Sequence, residues 1–151
     1  MKALDDLWDL PGPFTLETRV LAADIDGLEH TNNAVYVKWC EQVAWAHSVS
    51  LGLDLDAYRH LNRAMAITHS DYHYIQASRE GDDIAVGTWI VAWDRKITMQ
   101  RRFQVIRRND GVTLMRGGMR FACIELSTGR PRRMPPEFVA GYGPAVLDEN
   151  P

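Results

Sequence analysis

Apolar and polar residues alternate from Phe14 to Leu21 ("FTLETRVL"), the period of two that a half-buried strand requires. A crowded polar stretch follows, and then the period changes. Asn32 to Leu51 run without Pro or Gly, with Val35, Trp39, Val43 and Ala46 spaced to share one helical face and Gly52 placed to end it. Ala34, Val37, Cys40 and Ala44 make the neighbouring faces apolar as well, so this helix is expected to be enclosed on most sides, with Lys38 and Glu41 as isolated charges upon it. A weaker helical piece around Ala57 to Asn62 leads into four runs, "AMAITHSDYHYI", "IAVGTWIVAW", "ITMQRRFQVI" and "VTLMRGGMRFACIEL", which predict strands two to five. The turn-rich "QASREGDD" separates the second from the third. Asn109, Asp110 and Gly111 signal a hairpin between the fourth and fifth, and Gly117 with Gly118 predicts a bulge or bend in a long curved strand.

The predicted order is thus strand, long helix, then four strands joined by short connections. Short connections favour antiparallel pairing, and a curved sheet wrapped around one helix buries both economically. The expected class is α+β, a hotdog fold with a five-stranded antiparallel sheet around one central helix. Strand three is apolar on both faces, with Trp89, Val91 and Trp93 on one and Ile90 and Ala92 on the other. One helix covers one face, so a second subunit is expected to cover the rest, as a homodimer through sheet edges or a homotetramer through packed faces.

The length of 151 residues suits one domain over 1–151, and no repeat or low-complexity linker divides it. With 46% hydrophobic and 25% charged residues and a net charge of -3, the composition is that of a soluble globular protein and argues against nucleic acid as a partner. The first residues, "MKALDDLWDLPGPF", carry acids where a signal peptide carries bases, and no apolar run reaches the length of a membrane span. Two cysteines, Cys40 and Cys123, lie far apart in apolar segments, which fits buried thiols in a reducing compartment. A cytoplasmic location is expected.

The polar stretch, "ADIDGLEHTNNAVYVKW", is where chemistry is expected. An Asp before Gly is a common turn former, so Asp26 alone says little. Thr31, Asn32 and Asn33 read as a cap whose first-turn amides would face an anionic oxygen. His69, Asp71 and His73 alternate along one predicted strand face, but without a second ligand cluster a solvent face explains them and no metal is expected. Cys40, in mid-helix among apolar neighbours, should stay protonated and is no nucleophile.

The run "DIDGLEHTNNAVYVKW" resembles the D-x-D-x-x-x-H-x-N-N-x-x-Y-x-x-W pattern of plant acyl-ACP thioesterases. It is also similar to the loop of the bacterial 4-hydroxybenzoyl-CoA thioesterase family, which has a Tyr ten residues after the second Asp, here Tyr36 after Asp26. The likeness continues through "YIQASREGDDIAV", "WDRKITMQRRFQVIRR" and "STGRPRRMP", covering about residues 14 to 136. It implies a hydrolase that cleaves an acyl-CoA or acyl-ACP thioester without a cofactor. Asp26 would attack the carbonyl to give an anhydride or activate a water. His30 would bind substrate, orient water or assist Asp26, and Asn33 would act through its side chain or its amide. Tyr36 would contact substrate. Arg95 and Lys96 would meet the phosphates of coenzyme A at a basic hairpin that also holds Arg101, Arg102, Arg107 and Arg108, although a solvated strand face is the ordinary fate of such charges. Glu41 matches an acid of bacterial relatives and is either a supporting group or solvent-facing. Leu28 stands where the plant enzymes have Asn, which favours the bacterial arrangement with one central carboxylate. The alternatives are a non-catalytic acyl-CoA binding or sensing module and, further off, a hotdog dehydratase, whose "GHFP"-like histidine loop is missing from this chain.

Overall fold

A computed structural model of the chain describes residues 2–147. In chain order it contains β1 (Phe14–Arg19), α1 (Asn33–Ser50), α2 (Leu55–Leu61), β2 (Arg63–Tyr74), β3 (Asp83–Trp93), β4 (Thr98–Arg107), β5 (Val112–Glu125) and α3 (Pro136–Tyr142), with short 3-10 turns at Leu4–Asp6, Ala22–Asp24 and Gly143–Ala145. The strands form one antiparallel sheet in the order β1-β3-β4-β5-β2, and with the long α1 they make the expected hotdog arrangement. β1 lies against β3 in the register Phe14 with Thr88 to Arg19 with Asp83.

The order departs from sequential pairing at one point. β2 neighbours β5 and not β3, so residues 75–82 are no hairpin turn. This connection is fastened along its own length: the amides of Ile75 and Gln76 donate to the Leu114 carbonyl at 2.8 and 3.2 Å, and that of Gly81 donates to Val20 at 2.9 Å. At the β4–β5 turn Gly111 takes a φ of 73°. β5 runs unbroken through Gly117 and Gly118, and a Cβ at Gly118 would stand 3.0 Å from Asp71 Oδ1.

The chain divides into two compact units, one of residues up to Ala44 with Tyr72–Thr88 and Phe103–Gly117, the other of Trp45–Asp71, Trp89–Arg102 and the residues from Gly118 on. In the first unit Val20, Tyr36, Val43, Ile84, Val105 and Leu114 are buried. Its N-terminal segment is part of that packing. The amide of buried Gln104 donates to the Leu7 carbonyl and to Thr113 Oγ1 at 3.1 and 2.9 Å, and its oxygen accepts the Asp9 amide at 2.8 Å. Trp8 then lies so close over Gly87 that a Cβ there would come within 2.8 Å of its ring. β3 is buried from Ile84 to Ile90 within the single chain, while Val91, Ala92 and Trp93 at its end are partly exposed.

In the second unit α3 opens on Pro136, at a position where a missing amide costs nothing, and buries Phe138 and Tyr142. Phe138 lies 4.9 Å from the Tyr58 ring and 5.7 Å from that of Tyr142. The hydroxyls of Tyr58 and Ser48 both bond that of Tyr142, so α3 is fastened through buried polar contacts as well as apolar ones.

α1 corrects the expectation of an enclosed helix. Tyr36, Trp39, Cys40, Val43 and His47 are buried, but Lys38, Glu41, Gln42, Trp45 and Val49 make an exposed stripe at helical spacing. Apolar residues on that open side hid the asymmetry from the sequence pattern. Among the described residues no helix is long and apolar enough to cross a membrane.

Candidate functional site

The polar stretch folds as a tight loop entering α1. Ile25 bridges Thr31, the Asp26 amide donates to the His30 carbonyl at 2.8 Å, and Glu29 turns the chain at a φ of 63°. Within the loop, Asp26 Oδ1 accepts the amides of Leu28 at 2.8 Å and His30 at 3.3 Å. An aspartate that bonds its own backbone two residues on is a turn former in the ordinary way. Here those two bonds hold one carboxylate oxygen, and among the described residues no hydrogen bond reaches Oδ2.

The helix start is built by the next two residues. Asn32 Oδ1 accepts the Ala34 amide at 3.0 Å, and the Asn32 carbonyl accepts Val35 at 2.9 Å. Of the first-turn amides, the Asn33 N–H is thus the one with no hydrogen bond among the described residues. Thr31, expected within the cap, points inward and bonds Ser78.

Loop and helix start border a cavity of about 380 Å³, lined on this side by Asp26, Leu28, His30, Asn32, Asn33 and Tyr36 and on the other by Tyr74, Ile75, Gln76 and Ala77. Leu28, 77% exposed, and the half-exposed Tyr74 and Ile75 give it an apolar rim. Four of the residues singled out in the sequence, Asp26, His30, Asn33 and Tyr36, therefore meet at one cavity. The Tyr36 hydroxyl is engaged internally, accepting the Ser78 amide at 3.2 Å and standing 2.8 Å from Ser78 Oγ. Sequence reasoning gave no role to Ser78 or to the wall from Tyr74 to Ala77, although the stretch "YIQASREGDDIAV" that holds them is part of the family resemblance.

Arg95 and Lys96 lie in the second unit, at the β3–β4 turn, and take no part in lining this cavity. Both are exposed, with Arg95 at a φ of 64° and its guanidinium 5.8 Å over the Trp93 ring. Asp94 shapes the turn: its Oδ1 accepts the amides of Lys96, Ile97 and Thr98 at 2.8, 2.8 and 2.9 Å. Burial alone would raise its carboxyl, but these amides prevail and hold it at about 2. Arg102 of the basic hairpin is exposed, but its other three arginines are not a free positive surface. Arg101 is buried, with Nη1 at 2.9 Å from His47 Nδ1; Arg107 pairs with Asp110 and Asp82, and Arg108 with Glu17.

Glu41 is solvent-facing. His69, Asp71 and His73 are exposed along β2, and among the described residues no three His, Cys, Asp or Glu side chains are placed to hold a metal ion. Burial, followed by the neighbouring Glu41, pushes the Cys40 thiol far above its ordinary range.

Comparison with known proteins adds to this geometry. Residues 20–141 match the model of the Thioesterase-like superfamily. Protein THEM6 of Danio rerio is 33% identical over 94 residues, which is 62% of this chain; the chain spans 45% of that protein's length, under half of it. Among solved structures, a Staphylococcus aureus protein in complex with CoA is 21% identical with a TM-score of 0.81, over 92% of this chain and 89% of that one. The 12:0-ACP thioesterase from Umbellularia californica is 19% identical at 0.80, over 94% and 57%. A 1,4-dihydroxy-2-naphthoyl-CoA thioesterase from Synechocystis is 20% identical at 0.76, over 85% and 95%. These structures share the hotdog fold with this chain. Because the family match runs from the end of β1 through most of α3 and takes in both the loop and the hairpin, the chain belongs to the thioesterase-like superfamily.

Proposed function

We propose that this chain hydrolyses an acyl thioester, of coenzyme A or of acyl carrier protein, to the free acid and the thiol. One juxtaposition carries the reading: a carboxylate with Oδ1 held by two loop amides lines the same cavity as the first amide of α1, and among the described residues neither Oδ2 nor that amide has a hydrogen bond. The leaving thiolate comes from a thiol with a pKa of about 8.5 and departs without help from an acid. The reaction then needs an oxygen nucleophile and a donor for the oxyanion. Asp26 Oδ2 either attacks the carbonyl carbon, giving an anhydride that water opens, or takes the proton of a water that attacks instead. In both routes the carbonyl oxygen becomes anionic, and the Asn33 N–H at the positive end of the 18-residue α1 is the donor for it. His30 holds the substrate or the water. Leu28, Tyr74 and Ile75 take the apolar side of the acyl group.

The CoA complex of the structural relative supports coenzyme A as one carrier. Arg95 and Lys96, both exposed, are the cations we assign to its phosphates. A second copy is proposed along β2, an edge strand exposed over most of Ile67–Tyr74. Free, buried Cys40 and Cys123 suit a reducing compartment such as the cytoplasm.

The test is release of free thiol from a panel of acyl-CoAs by the wild-type chain and by Asp26→Asn. The expected result is turnover of at least one substrate and a loss on the order of a thousandfold or more in the variant, with unchanged circular dichroism. An Asp26→Asn chain of full activity rejects the assignment, and a wild-type chain that binds acyl-CoA but releases no thiol is the sensing module instead.

A further inference from the structure

Resting on the hydrolytic reading above, we infer that Ser78 is a positioning residue for the reaction: it fixes the carboxylate loop, the first turn of α1 and the opposite cavity wall at one spacing. Ser78 is fully buried in the connection from β2 to β3, and all of its polar atoms are engaged with two residues. Its carbonyl accepts the Thr31 amide at 2.9 Å and Thr31 Oγ1 at 3.2 Å. Its Oγ lies 2.6 Å from Thr31 Oγ1 and 2.8 Å from Tyr36 Oη, and its amide donates to that same Oη at 3.2 Å.

Thr31 precedes Asn33 and Tyr36 follows it, so this one serine grips α1 on both sides of the open amide. Thr31 in turn bridges Ile25, next to Asp26. On the other side, Ser78 directly follows the wall of Tyr74 to Ala77, and the Ala77 carbonyl is held by Arg107 Nη1 at 3.1 Å. The gap across the cavity is therefore closed at Ser78.

Every hydroxyl of the cluster finds its partners inside it: Thr31 Oγ1 lies in reach of the Ser78 carbonyl, and Ser78 Oγ shares one hydrogen bond with Thr31 Oγ1 and one with Tyr36 Oη, which also accepts the Ser78 amide. The cluster holds geometry. Removing the Ser78 hydroxyl leaves the Tyr36 and Thr31 hydroxyls without their shared partner, a fault in buried hydrogen bonding that the loop and wall must relax to repair.

The experiment is steady-state hydrolysis by wild type, Asp26→Asn, Ser78→Ala, Tyr36→Phe and the double variant Tyr36→Phe/Ser78→Ala. We expect Ser78→Ala to lower kcat about 10- to 100-fold, as a misplacement on the order of an ångström does, while KM stays within about threefold. Tyr36→Phe lowers kcat by a smaller factor. The double variant is no slower than Ser78→Ala, since both changes open the same cluster. Should Ser78→Ala not fold, Thr31→Val takes its place in the comparison. Full kcat in a folded Ser78→Ala, a loss confined to KM, or losses that multiply in the double variant would overturn the role of Ser78 while leaving the Asp26 reading intact. A wild-type chain inert to every thioester, or full activity in Asp26→Asn, overturns the hydrolytic reading and the role of Ser78 together.

Discussion

Replacing His47 by asparagine should flatten the acid side of the chain's stability curve. His47 is buried on α1, with Nδ1 at 2.9 Å from Arg101 Nη1. A guanidinium only donates, so Nδ1 accepts and the ring is neutral with its proton on Nε2. Protonating Nδ1 would set two donors and two positive charges against each other in a buried place. Burial first, and the Arg101 charge second, lower the imidazole from 6.5 to about 4. The native state then resists a proton that the unfolded chain binds below its ordinary 6.5. Between those limits the unfolded state holds more protons, so stability falls as pH falls, and below about 4 this contribution is fully lost. At about 1.4 kcal/mol per pH unit the whole window amounts to roughly 3 kcal/mol, a large share of a typical total of about 5–15. Urea unfolding of wild type at about pH 7.5 and 4.5 should differ by roughly 2 to 3 kcal/mol from this source, a midpoint shift of about 1 M. In His47→Asn the side-chain carbonyl can accept from Arg101 but does not titrate. Acid losses at other groups are common to both proteins and cancel in the difference. If wild type and His47→Asn lose stability in parallel over this range, the argument is wrong.

Gly87→Ala should cost about 1–3 kcal/mol, because the new Cβ falls 2.8 Å from the Trp8 ring and that ring must move; in a Trp8→Ala background the same change should cost little. Denaturant melts of the four proteins measure the coupling, and equal costs in both backgrounds contradict the packing. Sedimentation at micromolar concentration should give a dimer or tetramer, and Ile67→Lys on the exposed edge strand should shift it towards monomer; a wild-type monomer removes the assembly proposal.

The elements were legible because their patterns are local. The alternation of "FTLETRVL" and the Pro- and Gly-free run into Gly52 located β1 and α1 to within about two residues, and the four later runs did as much for β2 to β5. α3 was readable in principle: Pro135 and Pro136 before Glu137, with Phe138 and Tyr142 one turn apart, are a helix start with a buried face. Arg101 and Arg102 were read together as surface charge, yet adjacent strand residues face opposite ways, and one of the two had to point inward. The position of β2 beside β5, the cover that Trp8 gives β3 and the Ser78 cluster were not legible, since each depends on residues far apart in the chain. Asp26, His30, Asn33 and Tyr36 could be grouped only because one loop and one helical turn carry them all.

Burial sets the Cys40 thiol far above its usual range, and burial against the smaller opposing effect of Arg63 sets Cys123 at about 11. Near neutral pH both sulfurs therefore stay in the unreactive S–H form almost entirely. A chromogenic disulfide added to follow coenzyme A release would be consumed by product and scarcely by the folded protein itself. A background of about two equivalents of colour per chain would accordingly report unfolded material in the preparation.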